Sequence, residues 1–158
     1  MNNFVQQQFP ILESTLAMRH TLMDMLTDED LQFALPGNIT LGEVCQQVGE
    51  CDYIYAQAFK TFQHDWTYTH PDSSVAVSVE KLRAWYTELE ADIKNTLAAM
   101  TDEQINTQMV DRGHDMHIPL AFDFHVYRES LLIFYAKVSV YLRAMGKPLP
   151  QQWQLWIG

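Results

Sequence analysis

Apolar residues recur at the spacing of one helix face in four long segments, separated by stretches rich in proline, glycine and charge. The first runs from about Pro10, a first-turn position for proline, to Thr27, with Leu12, Leu16, Met23 and Leu26 near helical spacing. The second opens at Thr40-Leu41-Gly42-Glu43, a capping-box pattern in which threonine and glutamate satisfy each other's backbone donors, and runs to about Phe62. Its stripe is Leu41, Val44, Cys45, Val48, Tyr55 and Phe59. The third spans about Val79 to Ala99 behind a Ser78 N-cap, with Leu82, Trp85, Leu89, Ile93 and Leu97 inward. The fourth runs from about Leu120 to Met145 and stops at Gly146, Pro148 and Pro150. Between them, Leu35-Pro36-Gly37-Asn38 is a loop and Gln63 to Val77 a long aromatic one. Thr101-Asp102-Glu103-Gln104 opens a short helical turn, and Met109 to Ile118 predicts a small irregular hairpin.

Two features break the simple amphipathic pattern. Asp52 falls inside the apolar stripe of the second helix, and it alone among the acids falls clearly on an inward face. A carboxylate there must be compensated, by an ion pair with an inward arginine or a hydrogen bond to a tyrosine or tryptophan from another helix, or else by a functional site. The fourth helix carries two stripes: Leu120, Phe124, Tyr127, Leu131, Val138, Leu142 and Met145 on one side, and Phe122, Val126, Ile133 and Val140 on another. The second stripe calls for a cover, from the long loops, from Trp153, Leu155, Trp156 and Ile157, or from a second subunit.

The 158 residues suit one domain over 1–158 with a sizeable core. A formal charge of −10 disfavours nucleic acid and anionic membrane surfaces as partners. No apolar run approaches the roughly 20 residues that span a bilayer, and the opening residues lack a secretory pattern. Cys45 and Cys51 lie about 9 Å apart along one helix at about 1.5 Å per residue, too far to bridge. They read as small core residues of a reducing compartment, and the chain as cytoplasmic.

The candidate chemistry is sparse. His114, His117 and His125 follow one another without a recognised zinc spacing. His125 and Glu129 stand one helical turn apart, the geometry of an oriented imidazole or of an ordinary surface pair. The loop around Trp66 can line a pocket mouth or cap the core. Nothing matches a nucleophile elbow, a phosphate-binding loop or a dinucleotide fingerprint.

The segment Thr40-Leu41-Gly42-Glu43-Val44-Cys45-Gln46-Gln47-Val48-Gly49-Glu50-Cys51-Asp52, with Tyr141-Leu142-Arg143-Ala144-Met145-Gly146-Lys147-Pro148-Leu149-Pro150, resembles the DinB/YfiT-like superfamily, over nearly the whole chain in helix order and loop lengths. The resemblance implies an all-α four-helix bundle with long connecting loops, often dimeric. In many members three histidines hold a divalent metal, in branches that include metal-dependent hydrolases and thiol-dependent transferases and isomerases. The family's ligand positions fall here on Gln47, Ser130 and Phe134, so the resemblance implies a bundle that has lost its metal. Asp52 matches a position where the family often keeps an acid, and His125, Arg128 and Glu129 share one arc of the fourth helix.

The resulting expectation is a binding or interaction protein of unassigned activity, without cofactor, forming a homodimer through the fourth helix. The alternative is an enzyme with a shifted site in the same cavity. It would be built from Asp52, Gln47, Ser130, His125 and Glu129, and zinc or nickel is expected only in that case.

Overall fold

The computed structural model describes residues 2–157. Four long helices form the bundle: α1 (Asn3–Met25), α2 (Leu41–Thr61), α3 (Val79–Ala99) and α5 (Leu120–Ala144). Two short ones, α4 (Asp102–Thr107) and α6 (Gln151–Trp156), and a two-stranded hairpin of β1 (Met109–Asp111) and β2 (His117–Pro119) complete the order α1-α2-α3-α4-β1-β2-α5-α6. In the hairpin Val110 pairs with Ile118.

Both capping boxes form. Thr40 accepts from the Glu43 backbone while Glu43 accepts from that of Thr40, and Thr101 and Gln104 repeat the exchange. Ser78 caps α3. The inward stripes predicted for the helices are buried throughout, apart from a half-buried Met145.

The first helix departs from expectation. It begins at Asn3, seven residues before Pro10, which stands on an exposed face inside it. Tertiary anchoring outweighs the breaker. The Asn2 side chain accepts from Val5 N at 2.7 Å and donates to the carbonyls of Leu97 and Met100, while Asp102 accepts from Phe4 N. The long loop also contains a 3-10 turn, Ser73–Val77. The short α6 was not anticipated: Trp153 fastens it, buried against Tyr135 with its indole donating to Met18 O at 3.0 Å.

Helix directions follow from which ends meet. Asn2 reaches the end of α3, so α1 and α3 are antiparallel. Tyr141 near the end of α5 donates to Ile39 O beside the start of α2, so those two are antiparallel as well. Positions along α2 and α3 advance together, from Tyr86 bonding Cys45 O to Lys60 pairing with Asp92, so this pair is parallel. A parallel pair needs a return connection as long as the helices, and residues 62–78 provide it. They run back along α2, with His70 N donating to Glu50 and Ala76 lying against Gly42.

The second stripe of α5 remains uncovered. Phe122, Ile133 and Val140 are 57, 59 and 52% exposed, while of the terminal apolar residues Trp153 packs elsewhere and Leu155 and Trp156 stay exposed. No helix among the described residues is long and apolar enough to cross a membrane.

The return segment touches α2 at Gly42 with no room for a side chain: a Cβ there would lie 1.7 Å from the Ala76 carbonyl oxygen. Gly42→Ala is therefore expected to cost about 1–3 kcal/mol, read as a lower urea midpoint. An unchanged midpoint would contradict this close approach.

Candidate functional site

At the centre of the bundle each long helix contributes one polar side chain. Arg19 of α1 donates through Nη1 to Asp52 Oδ2 on α2 and through Nη2 to Glu90 Oε1 on α3, the latter at 2.6 Å. Tyr127 of α5 donates to Asp52 Oδ1 at 2.9 Å. The guanidinium also lies 4.1 Å from the ring centroid of Tyr86. Both alternatives for the compensation are present at once, the inward arginine and the tyrosine from another helix, and Glu90 extends the cluster further. Asp52 is not the lone inward acid: Glu90 and Asp123 are buried too, each a helical turn from stripe residues. Burial holds Asp52 above the ordinary carboxylate range, against the pull of Arg19 and Tyr127. Arg19, against the same burial, is kept firmly protonated by Asp52, the neighbouring tyrosines and Glu90.

A second polar cluster lies between α2, α5 and the return loop. Asp123 is fully buried and accepts from His64 Nε2 at 2.9 Å and from Arg112 Nη1. Arg112 follows directly after β1, and the same Nη1 also meets the Tyr55 hydroxyl at 3.1 Å. Its guanidinium lies 5.0 Å from the Trp66 centroid and 5.6 Å from that of Tyr55, while the Trp66 indole donates to Arg112 O at 2.7 Å. His64 stacks on Trp66 at 4.4 Å and 7° and meets Tyr55 edge-on. Backbone bonds from His64 N to Asp111 O and from Asp111 N to Phe62 O tie the loop to the hairpin. Burial works against the Arg112 charge, yet Tyr55 and Asp123 raise its pKa; the Tyr55 hydroxyl is raised chiefly by burial.

This cluster forms one end of a cavity of about 530 Å³. Gln47, Glu50, Cys51, Ile54 and Tyr55 line it from α2, Trp66, Tyr68 and Thr69 from the loop, Ser130 and Phe134 from α5, with Arg112 beside them. The three positions at which the family resemblance puts metal ligands, Gln47, Ser130 and Phe134, thus converge on one space. Trp66 both lines the mouth and covers buried His64.

The other expected site residues lie elsewhere. Asp52 is sealed in the central cluster, while His125 packs edge-on against Phe4 and Phe124. Glu129 is exposed and forms no ion pair with His125. Arg128 is half-buried on the same arc, its Nε without a partner. His114 and His117 are exposed in the hairpin. No group of three or more His, Cys, Asp or Glu among the described residues is placed to hold a metal ion. Both cysteines are unpaired.

The fit of a metal to the cavity can be judged from its donors. Phe134 offers none, and the Ser130 hydroxyl donates to Val126 O at 2.9 Å. Gln47 offers an amide, which zinc and nickel accept poorly. Burial pushes the Cys51 thiol up to about 12, with Asp52 adding to the shift. The set does not fit an imidazole-seeking metal.

Three outcomes are expected. Asp52→Ala leaves Arg19 buried beside a vacancy and should cost about 3–5 kcal/mol in urea unfolding. Tyr127→Phe, which removes one donor to Asp52, should cost about 1–3 kcal/mol. At pH 8 a thiol of pKa about 12 is about one part in ten thousand thiolate, so Cys51 should react with a maleimide or disulfide reagent far more slowly than free cysteine. Labelling at the rate of free cysteine would contradict the burial described.

No family model and no curated protein matches the sequence. Among solved structures, a DinB-like protein from Bacillus cereus aligns over 93% of both chains at 22% identity with a TM-score of 0.70. The resemblance read from the sequence holds at the level of the fold: the chain shares with that DinB-like protein a bundle of four long helices.

Proposed function

We propose that this chain is a small-molecule binding protein that uses the DinB-like cavity without the three-histidine metal, and that it acts as a homodimer through α5. One observation carries the reading: Gln47, Ser130 and Phe134 meet around a cavity that is retained while its donors are those of a ligand pocket. Its volume falls within the roughly 300–1,000 Å³ of small-molecule sites. Its wall has the matching composition, aromatic rings with a few placed polar groups. The alternative, an enzyme with a shifted site, has only Gln47 and Ser130 at this cavity; Asp52, His125 and Glu129 do not line it.

The dimer reading rests on the uncovered stripe of α5. Phe122, Val126, Glu129, Ile133 and Val140 follow a spacing close to the heptad, which aligns residues along one helix face. A second copy of the same helix, related by a two-fold axis, would meet apolar residues with apolar ones. Glu129 at the edge of this stripe and Arg128 beside it form no ion pair among the described residues, so they can exchange partners across such an axis.

Elemental analysis of tag-free protein is expected to find zinc and nickel well below one per chain, and stoichiometric metal would overturn the metal-free reading. A fragment screen followed by amide and indole NMR should yield ligands that shift Trp66, Gln47 and Ser130 together. Sedimentation at micromolar concentration should give twice the chain mass, and Ile133→Lys should return it to one. A monomeric wild-type chain would sink the dimer.

A further inference from the structure

We infer that the cavity takes a small carboxylate with a flat, unsaturated body, its carboxylate held by the guanidinium of Arg112, and a hydrogen-bond donor at its far end toward Glu50. The inference rests on the reading of the cavity as a small-molecule site and names the class of ligand.

Arg112 is the one cation among the lining residues and Glu50 the one acid. The guanidinium is held in place before any ligand arrives: its side chain is 15% exposed, Asp123 fixes it from below, and the Trp66 and Tyr55 rings flank it. Both of its side-chain hydrogen bonds run through Nη1. No protein group among the described residues bonds Nη2 or Nε, so one edge of the planar fork is left for the two parallel bonds that a carboxylate accepts and an amide cannot. Asp123 meets Arg112 through one oxygen and His64 through the other, so it occupies Nη1 alone. The Tyr55 hydroxyl accepts from Nη1 of the same guanidinium and is hydrogen-bonded in turn to Ser130, so it steadies the fork.

The far end has the opposite character. Glu50 accepts from the Gln46 side chain and His70 N through Oε1, at 2.8 and 2.9 Å, which leaves Oε2 for a donor. Five residues of α2 separate Glu50 from Tyr55, about 7.5 Å along the axis at about 1.5 Å per residue. A ligand anion placed at Arg112 therefore avoids the acid. Between the ends lie Cys51, Ile54, Trp66, Tyr68 and Phe134, a lining for a flat apolar body.

The probe is 4-hydroxycinnamate, which has a carboxylate, a planar body and a terminal hydroxyl. Its comparisons are the methyl ester and primary amide of the same acid, and tyramine as a cation. Calorimetry and the NMR signals of the Trp66 indole and the Gln47 and Ser130 amides should show the acid binding at least tenfold more tightly than the ester or amide, with tyramine weaker still. Arg112→Lys keeps Asp123 countered while removing the fork, and should cost the acid tenfold or more while leaving the amide within about twofold. An ester, amide or amine that binds as tightly as the acid overturns the carboxylate assignment and leaves the cavity reading standing. If neither these probes nor benzoate and benzamide perturb the three signals, the cavity reading itself fails. The comparison on the unaltered chain decides the matter even where the lysine variant does not fold.

Discussion

Everything in this bundle is arranged around a charge that has no route to water. Arg19 crosses from α1 toward the diagonally opposite helix α2, and the distance is spanned by a hydrogen-bonded ion pair with Asp52 instead of apolar packing. Such a contact contributes little net stability, since the desolvation of both ions offsets most of their attraction. Its value lies in specificity. Glu90 and Tyr127 complete the ring from α3 and α5, so a slip of any one helix by a single turn would strand a buried ion. The four helices thereby share one register, and that register brings Gln47, Cys51 and Tyr55 opposite Ser130 and Phe134.

The cavity follows from a second constraint, the parallel course of α2 and α3. The chain must climb the full height of the bundle between them, starting over the groove between α2 and α5 at His64 and ending against α3. A short connection would leave that groove open as a flat surface. The return segment instead adds Trp66, Tyr68 and Thr69 as a wall, while the hairpin brings in Arg112. The ligand space is thus built from three stretches of chain that share no local sequence relation.

That separation explains what the sequence could and could not disclose. The helices were legible because periodicity and capping are local: Thr40 with Glu43, Thr101 with Gln104 and Ser78 all cap where their patterns place them. Asp52 was legible as a problem in need of a partner, but the partner Arg19, 33 residues away, was not. Glu90 and Asp123 carried the same signal, an acid at the spacing of an apolar face, and applying the stripe test to every helix would have found them. The start of α1 was misplaced because Asn2 is stabilised by α3 and Asp102, contacts that no window around Pro10 contains. Arg112 and His64 sat in segments with no period, where nothing marks a side chain as buried or facing a cavity.

The return segment also has a dynamic consequence. Its hold on the bundle is made of bonds to Glu50, Asp111 and Asp123, ring contacts of Tyr68 with Tyr53 and of His70 with Trp85, and buried Val75 and Ala76, without the continuous apolar stripe that fastens each long helix. A segment fastened at separate points, with no helical ladder over residues 62–72, can open locally without global unfolding. A molecule seated in the open cavity bridges this strap and the helices while the buried ionic ring stays intact. Occupancy would then be recorded as slower hydrogen exchange in the strap, with the helices unchanged.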